Sequence, residues 1–280
     1  MNETRDYSAE DLVAHLKDLP ALPAVLADLI LTLADGDTDS ALIARKIQCD
    51  PALTSKTLRL ANSPFFGLRG AIHTLKEAVT VLGIRSVRSL ALASGISASL
   101  PIQKEANLDV RSFWQNALET AAAARVLSPK DEDSQNYALL GGLLHDIGKL
   151  ALGMLRSDAC AAVGESATRQ GCNWAQAEAE LGIPHHGLVG GALARRWNFP
   201  EALCRVITHH HGPIGAGGPV TAAVHIADVM SHAAGALRGS SERPPAVSVD
   251  AWQLLKPTPS VLIQAARAIR ETPDVSTIIQ

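Results

Sequence analysis

Apolar residues recur along this chain at the three-to-four-residue spacing of helices. Val25, Leu26, Leu29, Ile30 and Leu33 form one stripe, and Leu53, Leu58 and Leu60 belong to another. No segment alternates with period two over a useful length, and the β-branched residues fall within helical patterns. The pattern predicts an all-α fold, with strands absent or minor.

Local signals divide the stripes into elements. Ser8 with an acid close behind it opens a first helix near residue 8, which carries Leu12, Val13 and Leu16 and stops at Leu19-Pro20. Pro23 fits the first turn of the next helix, which runs until Asp35-Gly36-Asp37 breaks it. Asp50-Pro51 reads as N-cap and first helical residue of a helix ending at Asn62-Ser63-Pro64. Thr74 and Gly83 bracket another, and Ile84 to Ser99 forms one more. Pro101 to Glu105 is the expected hinge between an amino-terminal helical lobe, residues 1–105, and a second lobe, residues 106–280. In that second part Gly171 and Gly182 read as C-terminal caps, Asn173 as an N-cap and Pro200 as a first-turn residue. Gly239 to Pro245 is the most linker-like stretch, with helices expected near 251–255 and 260–270. No internal repeat is evident.

One apolar stretch carries an anomaly. Leu140, Leu143, Leu144, Ile147, Leu150 and Met154 keep the amphipathic spacing from one end to the other, and His145-Asp146 sits in the middle. The spacing predicts a core-facing helical segment, so two adjacent ionisable side chains are carried inward. Burying charge is costly unless it is paired or coordinates a metal.

Composition narrows the possibilities. A chain of 280 residues with 47% hydrophobic and 19% charged residues can bury a large core or two lobes, and its mean hydropathy of +0.11 argues against disorder. Aromatics at 4% leave the filling of that core to aliphatic residues. The net charge of −3, without a long basic run, lacks the electrostatic footprint of a nucleic-acid binder. The polar start lacks a signal-peptide pattern, and no charge-free run approaches the roughly 18 residues of a membrane span. A cytoplasmic protein is expected, with neither nucleic acid nor membrane as partner. Cys49, Cys160, Cys172 and Cys204 show no metal-binding or redox spacing and are expected to be small buried hydrophobes.

Further donors follow the His-Asp pair. His186, the run His209-His210-His211 and Asp228 are spread through the second half, and seven of the ten histidines lie between positions 185 and 232. Imidazole and carboxylate donors of this kind suit borderline divalent metals. A histidine on an apolar helix face is by default a hydrogen-bonded core residue, and His185, His209, His225 and His232 are assigned to that reading or to solvent. Trp114 and Trp197 are assigned to packing. Lys149 reads as a surface residue whose stem covers apolar area.

In order and identity these residues resemble the helical His-Asp phosphohydrolases, the HD superfamily, and their two-metal relatives, the HD-GYP phosphodiesterases. The resemblance matches His145 and Asp146 to the His-Asp pair, His186 to the middle His, His210 and His211 to the His-His pair, and Asp228 to the final Asp, all as metal ligands. By the same resemblance Lys149 stands where a lysine faces the substrate phosphate. Two parts of the pattern are missing. Phe113-Trp114-Gln115-Asn116 places Asn116 at the position of the first His, and no Gly-Tyr-Pro follows the His-His pair.

The first third resembles the amino-terminal lobe of the HDOD domain, the HD-related output domain. Leu19 to Pro23, Ile47 to Thr54, Leu58 to Ser63 and Ile72 to Ile84 carry that likeness, and Trp197-Asn198-Phe199-Pro200 extends it to about residue 235. The resemblance implies a bacterial signal-transduction output domain that is not catalytic and acts on signalling protein partners. Two alternatives stand beside it: a metal-dependent phosphohydrolase or cyclic-dinucleotide phosphodiesterase, and a sensor that binds a nucleotide without cleaving it. Two-metal hydrolysis needs ions about 3.5–4 Å apart, bridged by a carboxylate. Asp146 would be that bridge. Asn116 leaves one ion with His145, Asp146, Asp228 and a weak amide, whereas the other keeps Asp146, His186, His210 and His211. The expected state is one divalent transition metal, Fe, Mn or Zn, or a hydrogen-bonded network without metal.

Overall fold

A computed structural model describes residues 12, 14–33, 39–62, 71–102, 104–212, 214–240, 242–272 and 274–275. Every regular element among them is helical. The start at Ser8, the break at Asp35-Gly36-Asp37 and the stop at Ser63-Pro64 lie outside the described residues.

The amino-terminal helices are α1 (Ala24–Leu31), α2 (Ser40–Gln48), α3 (Pro51–Ala61), α4 (Leu75–Leu82) and α5 (Ile84–Ser99). Their ends follow from local chemistry. Asp50 Oδ1 accepts the Leu53 amide at 3.0 Å with Pro51 opening the helix, and Thr74 Oγ1 accepts that of Glu77 at 3.1 Å. Each such cap stabilises a helix by about 1 kcal/mol. Gly83, at φ 78°, turns the chain from α4 into α5, where a side chain would be strained.

The second half contains α6 (Val110–Leu127), α7 (Glu132–Leu144), α8 (Ile147–Leu155), α9 (Ser157–Gln170) and α10 (Trp174–Glu180). It continues with α11 (His186–Arg196), α12 (Glu201–His209), α13 (Gly218–Leu237), α14 (Val249–Leu255) and α15 (Pro259–Glu271). Asn173 and Gln176 form a reciprocal capping box at the start of α10, and Gly171 takes the left-handed conformation that ends α9. Pro23 and Pro200 stand at the N-cap, one residue before the first turn expected for them. That offset is within the ordinary scatter of helix boundaries.

One buried apolar cluster reaches from Leu12 and Leu26 through Leu90 on α5 to Leu140 on α7 and Leu193 on α11, and a second fills the space between α6, α13 and α15. The long helices α6 and α13 are tied by a polar strut: buried Glu119 accepts from Ser231 Oγ at 3.0 Å and from Arg238 Nη2 at 2.8 Å. A buried carboxylate held by several donors fixes the register of the two helices.

Three expectations are corrected. The apolar periodicity across residues 140–154 predicted one helical segment, but the helix stops at Leu144 and restarts at Ile147, so that His145-Asp146 forms the turn between α7 and α8. Apolar spacing continues through the turn because both helices press on the same core, which hides the break. Cys49 is exposed, while Cys160 and Cys204 are buried and Cys172 is half-buried. Lys149 is buried rather than spread on the surface. Two stretches, Glu132–Leu155 and Gly218–Leu237, are long and apolar enough to cross a membrane. Of their apolar windows, 89% and 56% are buried inside the protein, so they serve as core helices here.

Candidate metal centre

The break between α7 and α8 turns Asp146 toward the N-terminus of α11 and the C-terminus of α12. Close approach makes this possible. A Cβ built on Gly148 would lie 1.9 Å from the His186 carbonyl oxygen, and one on Gly190 would lie 3.0 Å from the Gly148 amide, so α8 and α11 cross where neither carries a side chain.

The two carboxylate oxygens of Asp146 face different groups. Oδ1 lies 3.1 Å from His186 Nε2 and 3.6 Å from His210 Nε2. Oδ2 lies 3.3 Å from His145 Nε2 and 2.8 Å from Lys149 Nζ. Donor atoms of Asp146, His186, His210 and His211 all lie within 4.8 Å of one another.

Each principal ring is oriented from behind. His145 Nδ1 is 2.8 Å from the Gly142 carbonyl, His210 Nδ1 is 2.7 Å from the Ile207 carbonyl, and His186 Nδ1 is 2.9 Å from Glu178 Oε2. Those acceptors place a proton on Nδ1 and turn Nε2 inward, which is how metal-binding histidines are held. Glu178 is itself buried and also accepts the Trp174 indole N–H at 3.0 Å and the His186 amide at 3.1 Å.

With protons on both Nδ1 atoms, His186 Nε2 and His210 Nε2 meet lone pair to lone pair at 3.2 Å. A proton or a cation must lie between them. In the ion-free chain His186 takes the proton: burial opposes its charge, but Glu178 and Asp146 outweigh that and raise its pKa to about 9. Burial, aided by the neighbouring rings, lowers His210 to about 4 and holds His211 well below the ordinary range. Burial also disfavours charge on His145, yet Asp146 and Asp228 raise it to about 10. Asp146 is held well below the usual carboxylate range, since His145, Lys149 and His186 overcome its burial.

The other half of the cluster is built differently. Asp228 Oδ1 lies 3.3 Å from His145 Nε2 and 3.3 Å from His232 Nε2, and Asn116 Nδ2 donates to it at 3.0 Å. The Asn116 amide therefore turns its NH2 group toward the carboxylate, and its Oδ1 is buried without a partner. Lys149 Nζ, besides its bond to Asp146, stands 3.8 Å from Glu242 Oε1 and 5.3 Å from the centre of the Trp174 ring. The attraction of Asp146 and Glu242 overcomes burial and keeps this amine charged.

The structure thus brings together His145, Asp146, His186, His210, His211 and Asp228, with Asn116 and Lys149 at the edge of the set. Three residues belong to the cluster that sequence reasoning did not place there. His232, four residues after Asp228, contacts its carboxylate; His185 stacks on His186 with ring centres 4.4 Å apart; Glu178 orients His186. The four-residue spacing of Asp228 and His232 on one helix was a usable signal. His225 is a satisfied core histidine, bonded to the His210 carbonyl at 2.7 Å and accepting the Ser248 amide at 2.9 Å. His209 is half-buried, and Trp114 and Trp197 are buried.

A donor set of three imidazoles and one carboxylate suits Zn, Fe or Mn, and four protein donors is the number that closes a structural zinc site. Asp146 Oδ1, buried and facing the Nε2 atoms of both His186 and His210 without a well-formed hydrogen bond, agrees with an ion in this pocket. The residues fit one ion well. A second ion fits less well, because Lys149 already occupies Asp146 Oδ2 and the Asn116 amide occupies Asp228 Oδ1, which leaves it Asp228 Oδ2 as an unengaged carboxylate oxygen.

Comparisons with known proteins place this geometry. The HDOD domain family matches residues 19–213. A protein of Treponema pallidum (strain Nichols), named only as uncharacterized, is 26% identical over 216 residues, 72% of this chain and 39% of its own length, so the chain spans well under half of that relative. Three solved structures share the fold. An HDOD domain protein of unknown function from Geobacter sulfurreducens superposes with a TM-score of 0.67 at 24% identity, over 97% of this chain and 93% of its own. A candidate phosphohydrolase from Shewanella amazonensis SB2B gives 0.68 at 24%, over 96% and 99%. A candidate signal transduction protein from Marinobacter aquaeolei VT8 gives 0.71 at 19%, over 99% and 67%. At these identities the likeness to the solved structures establishes the fold.

Proposed function

The chain belongs to the HDOD domain family, and from that premise we propose that it is a non-catalytic regulatory output domain which acts by binding signalling proteins. One observation carries the reading: the Asn116 amide presents hydrogen-bond donors, where the two-metal enzymes present an imidazole, to the Asp228 carboxylate. A group that donates to a carboxylate cannot also serve, through that NH2, as a ligand to a cation there. Lys149 strengthens the effect by neutralising Asp146 Oδ2 with a protein charge. What remains is a pocket for one ion, enclosed by α8, α11 and α12.

Asp146, His186, His210 and His211 would hold that ion, one divalent transition metal such as Fe, Mn or Zn. When bound it supplies Lewis acidity and a cross-link between helices. The chain's own groups do the rest. Glu178 fixes the His186 ring, the Gly142 and Ile207 carbonyls fix His145 and His210, and Lys149 balances the charge of Asp146. In this reading residues 1–105 and 106–280 are the two lobes of a cytoplasmic bacterial protein. Its surface, rather than its pocket, meets the partner. The candidate signal transduction protein from Marinobacter aquaeolei with the same fold supports the assignment.

The test is direct. Protein reconstituted with Zn, Mn or Fe is offered mononucleotides and cyclic dinucleotides, and in parallel used as bait, with a His186→Ala chain as control. The reading expects hydrolysis no faster than the blank and capture of a discrete signalling protein. Turnover that requires the metal and His145 would overturn it.

A phosphohydrolase is the second reading, favoured by the intact four-donor set and by the Lys149 ammonium poised beside Asp146. It expects activity lost in His145→Ala and Asp146→Ala chains that keep their helical content.

A further inference from the structure

The chain that leaves α13 doubles back along it. Gly239, at φ 94°, makes the reversal in a conformation that suits glycine. The Ser240 amide then donates to the Gly235 carbonyl at 3.0 Å, Glu242 Oε2 faces His232 Nδ1 at 4.0 Å, and the Ser248 amide donates to His225 Nε2 at 2.9 Å. Partners that fall from 235 to 232 to 225 as the chain rises from 240 to 248 describe a segment running antiparallel to the helix. Residues 243–247 make no hydrogen bond among the described residues, and Pro244 and Pro245 favour extended backbone.

Glu242 is where this segment meets the centre. Its Oε1 lies 3.8 Å from Lys149 Nζ and accepts the Trp174 amide at 3.4 Å, so one carboxylate links α8, α10 and, through His232, α13. It is also the outermost member of the group, 28% exposed against 6% for Lys149 and 9% for His232. Behind it stand Asp146 Oδ2, which receives Lys149, and Asp228 Oδ2, which is buried without a partner. Arg243 leans the other way: a Cβ built on Gly171 would lie 3.5 Å from its Nε, which sets the guanidinium beside the C-terminus of α9, where a cation is favoured. The contacts of Glu242 are long for hydrogen bonds and partly open to solvent, so charge attraction that salt can screen holds it in place.

We propose that residues 242–248 form a strap latched over the centre by Glu242, which shuts solutes out from Lys149 and Asp228 while closed and admits them when the carboxylate lets go. The bond from Ser248 to His225 is the fixed end. Residues 243–247, without hydrogen bonds of their own, are the span that moves. The latch is made of protein groups alone and is complete without an ion. It therefore stands apart from the reading given for the centre, since a regulatory centre and a hydrolytic one would be covered alike.

Backbone amide relaxation, measured by NMR on the full chain after chelator treatment, reads the strap directly. Held at both ends, Arg243, Ala246 and Val247 should show order parameters near the roughly 0.85 of rigid backbone, and in a Glu242→Gln chain these should fall below about 0.6 while Ser248 and α13 keep native values. A neutral gadolinium chelate added to the solvent reports access. Its broadening of the Lys149 and Asp228 amide signals should rise severalfold in Glu242→Gln and stay native at Leu90 in the amino-terminal core. The native chain in about 1 M sodium chloride, where charges are screened beyond roughly 3 Å, should move in the same direction. That arm needs no substitution, so a poorly folding variant leaves the test intact. The proposal is overturned if the native strap is already disordered, if neither salt nor Glu242→Gln loosens it, or if it loosens without any gain in access to Lys149 and Asp228.

Discussion

Glu178 does as much for the candidate centre as any ligand, through its bond to His186 Nδ1 at 2.9 Å. Removing such an orienting carboxylate weakens metal binding by about 10–100-fold. A Glu178→Gln chain should therefore lose zinc affinity on that scale in a competition titration with a chromophoric chelator. Unchanged affinity would mean that the carboxylate only fills space. A second outcome concerns the ion-free chain. His145 and His186 have folded pKa values of about 10 and about 9, raised above the ordinary 6.5 by acidic partners that outweigh burial. A raised base contributes stability that is complete below the unfolded pKa and is lost as pH rises through the folded one. Melting of chelator-treated protein should accordingly fall from about pH 6.5 toward pH 10. Bound metal should flatten the His186 part of that decline, because it replaces that proton. Much of this residue-level picture was legible in the sequence. His145, Asp146, His186, His210, His211 and Asp228 stand in one order, which a core histidine has no reason to respect. Glu178 was not legible, because Trp-Ala-Gln-Ala-Glu-Ala-Glu reads as a polar helix and nothing local says which acid turns inward. The partner it needs lies eight residues on, and only the fold brings the two together.

Among the elements, the crossing of α8 over α11 decides whether the site exists. With a methyl group at residue 148 the His186 backbone must move, and overpacking of that kind costs about 1–3 kcal/mol or more. Gly148→Ala should lower the melting temperature and also reduce zinc bound per chain, since the displaced backbone belongs to a ligand. A chain that melts lower yet binds zinc as before would show that the crossing is structural alone. Helix ends were the part of the architecture best written in the sequence. Asp50, Thr74, Gly83, Gly171 and Asn173 act on groups within one turn of themselves, so their meaning survives without the fold. The break at His145-Asp146 was hidden for the opposite reason. Leu144 and Ile147 are both fully buried, and the core that demands an apolar residue at each position is indifferent to whether the backbone between them is helical.

At the scale of the whole molecule, the cluster divides into a half with four convergent donors and a half held together by protein groups. Asn116 on α6 and His232 on α13 hold Asp228, and Lys149 on α8 holds Asp146, so protein groups join these helices. Asn116→His supplies the missing imidazole and removes the donor from Asp228. Metal bound per chain should rise toward two in that variant, read by mass spectrometry of the metal after desalting. The all-α architecture was visible in the apolar spacing, and the family in motifs spread over most of the chain. Which carboxylate oxygens face protein cations was not visible, because that depends on contacts between α6, α8 and α13 that are far apart in sequence. The most direct measurement is the metal content of the native chain after saturation with zinc and removal of excess. One zinc per chain, lost in His186→Ala and His210→Ala, is the predicted result; two zinc ions per chain, or none, would contradict it.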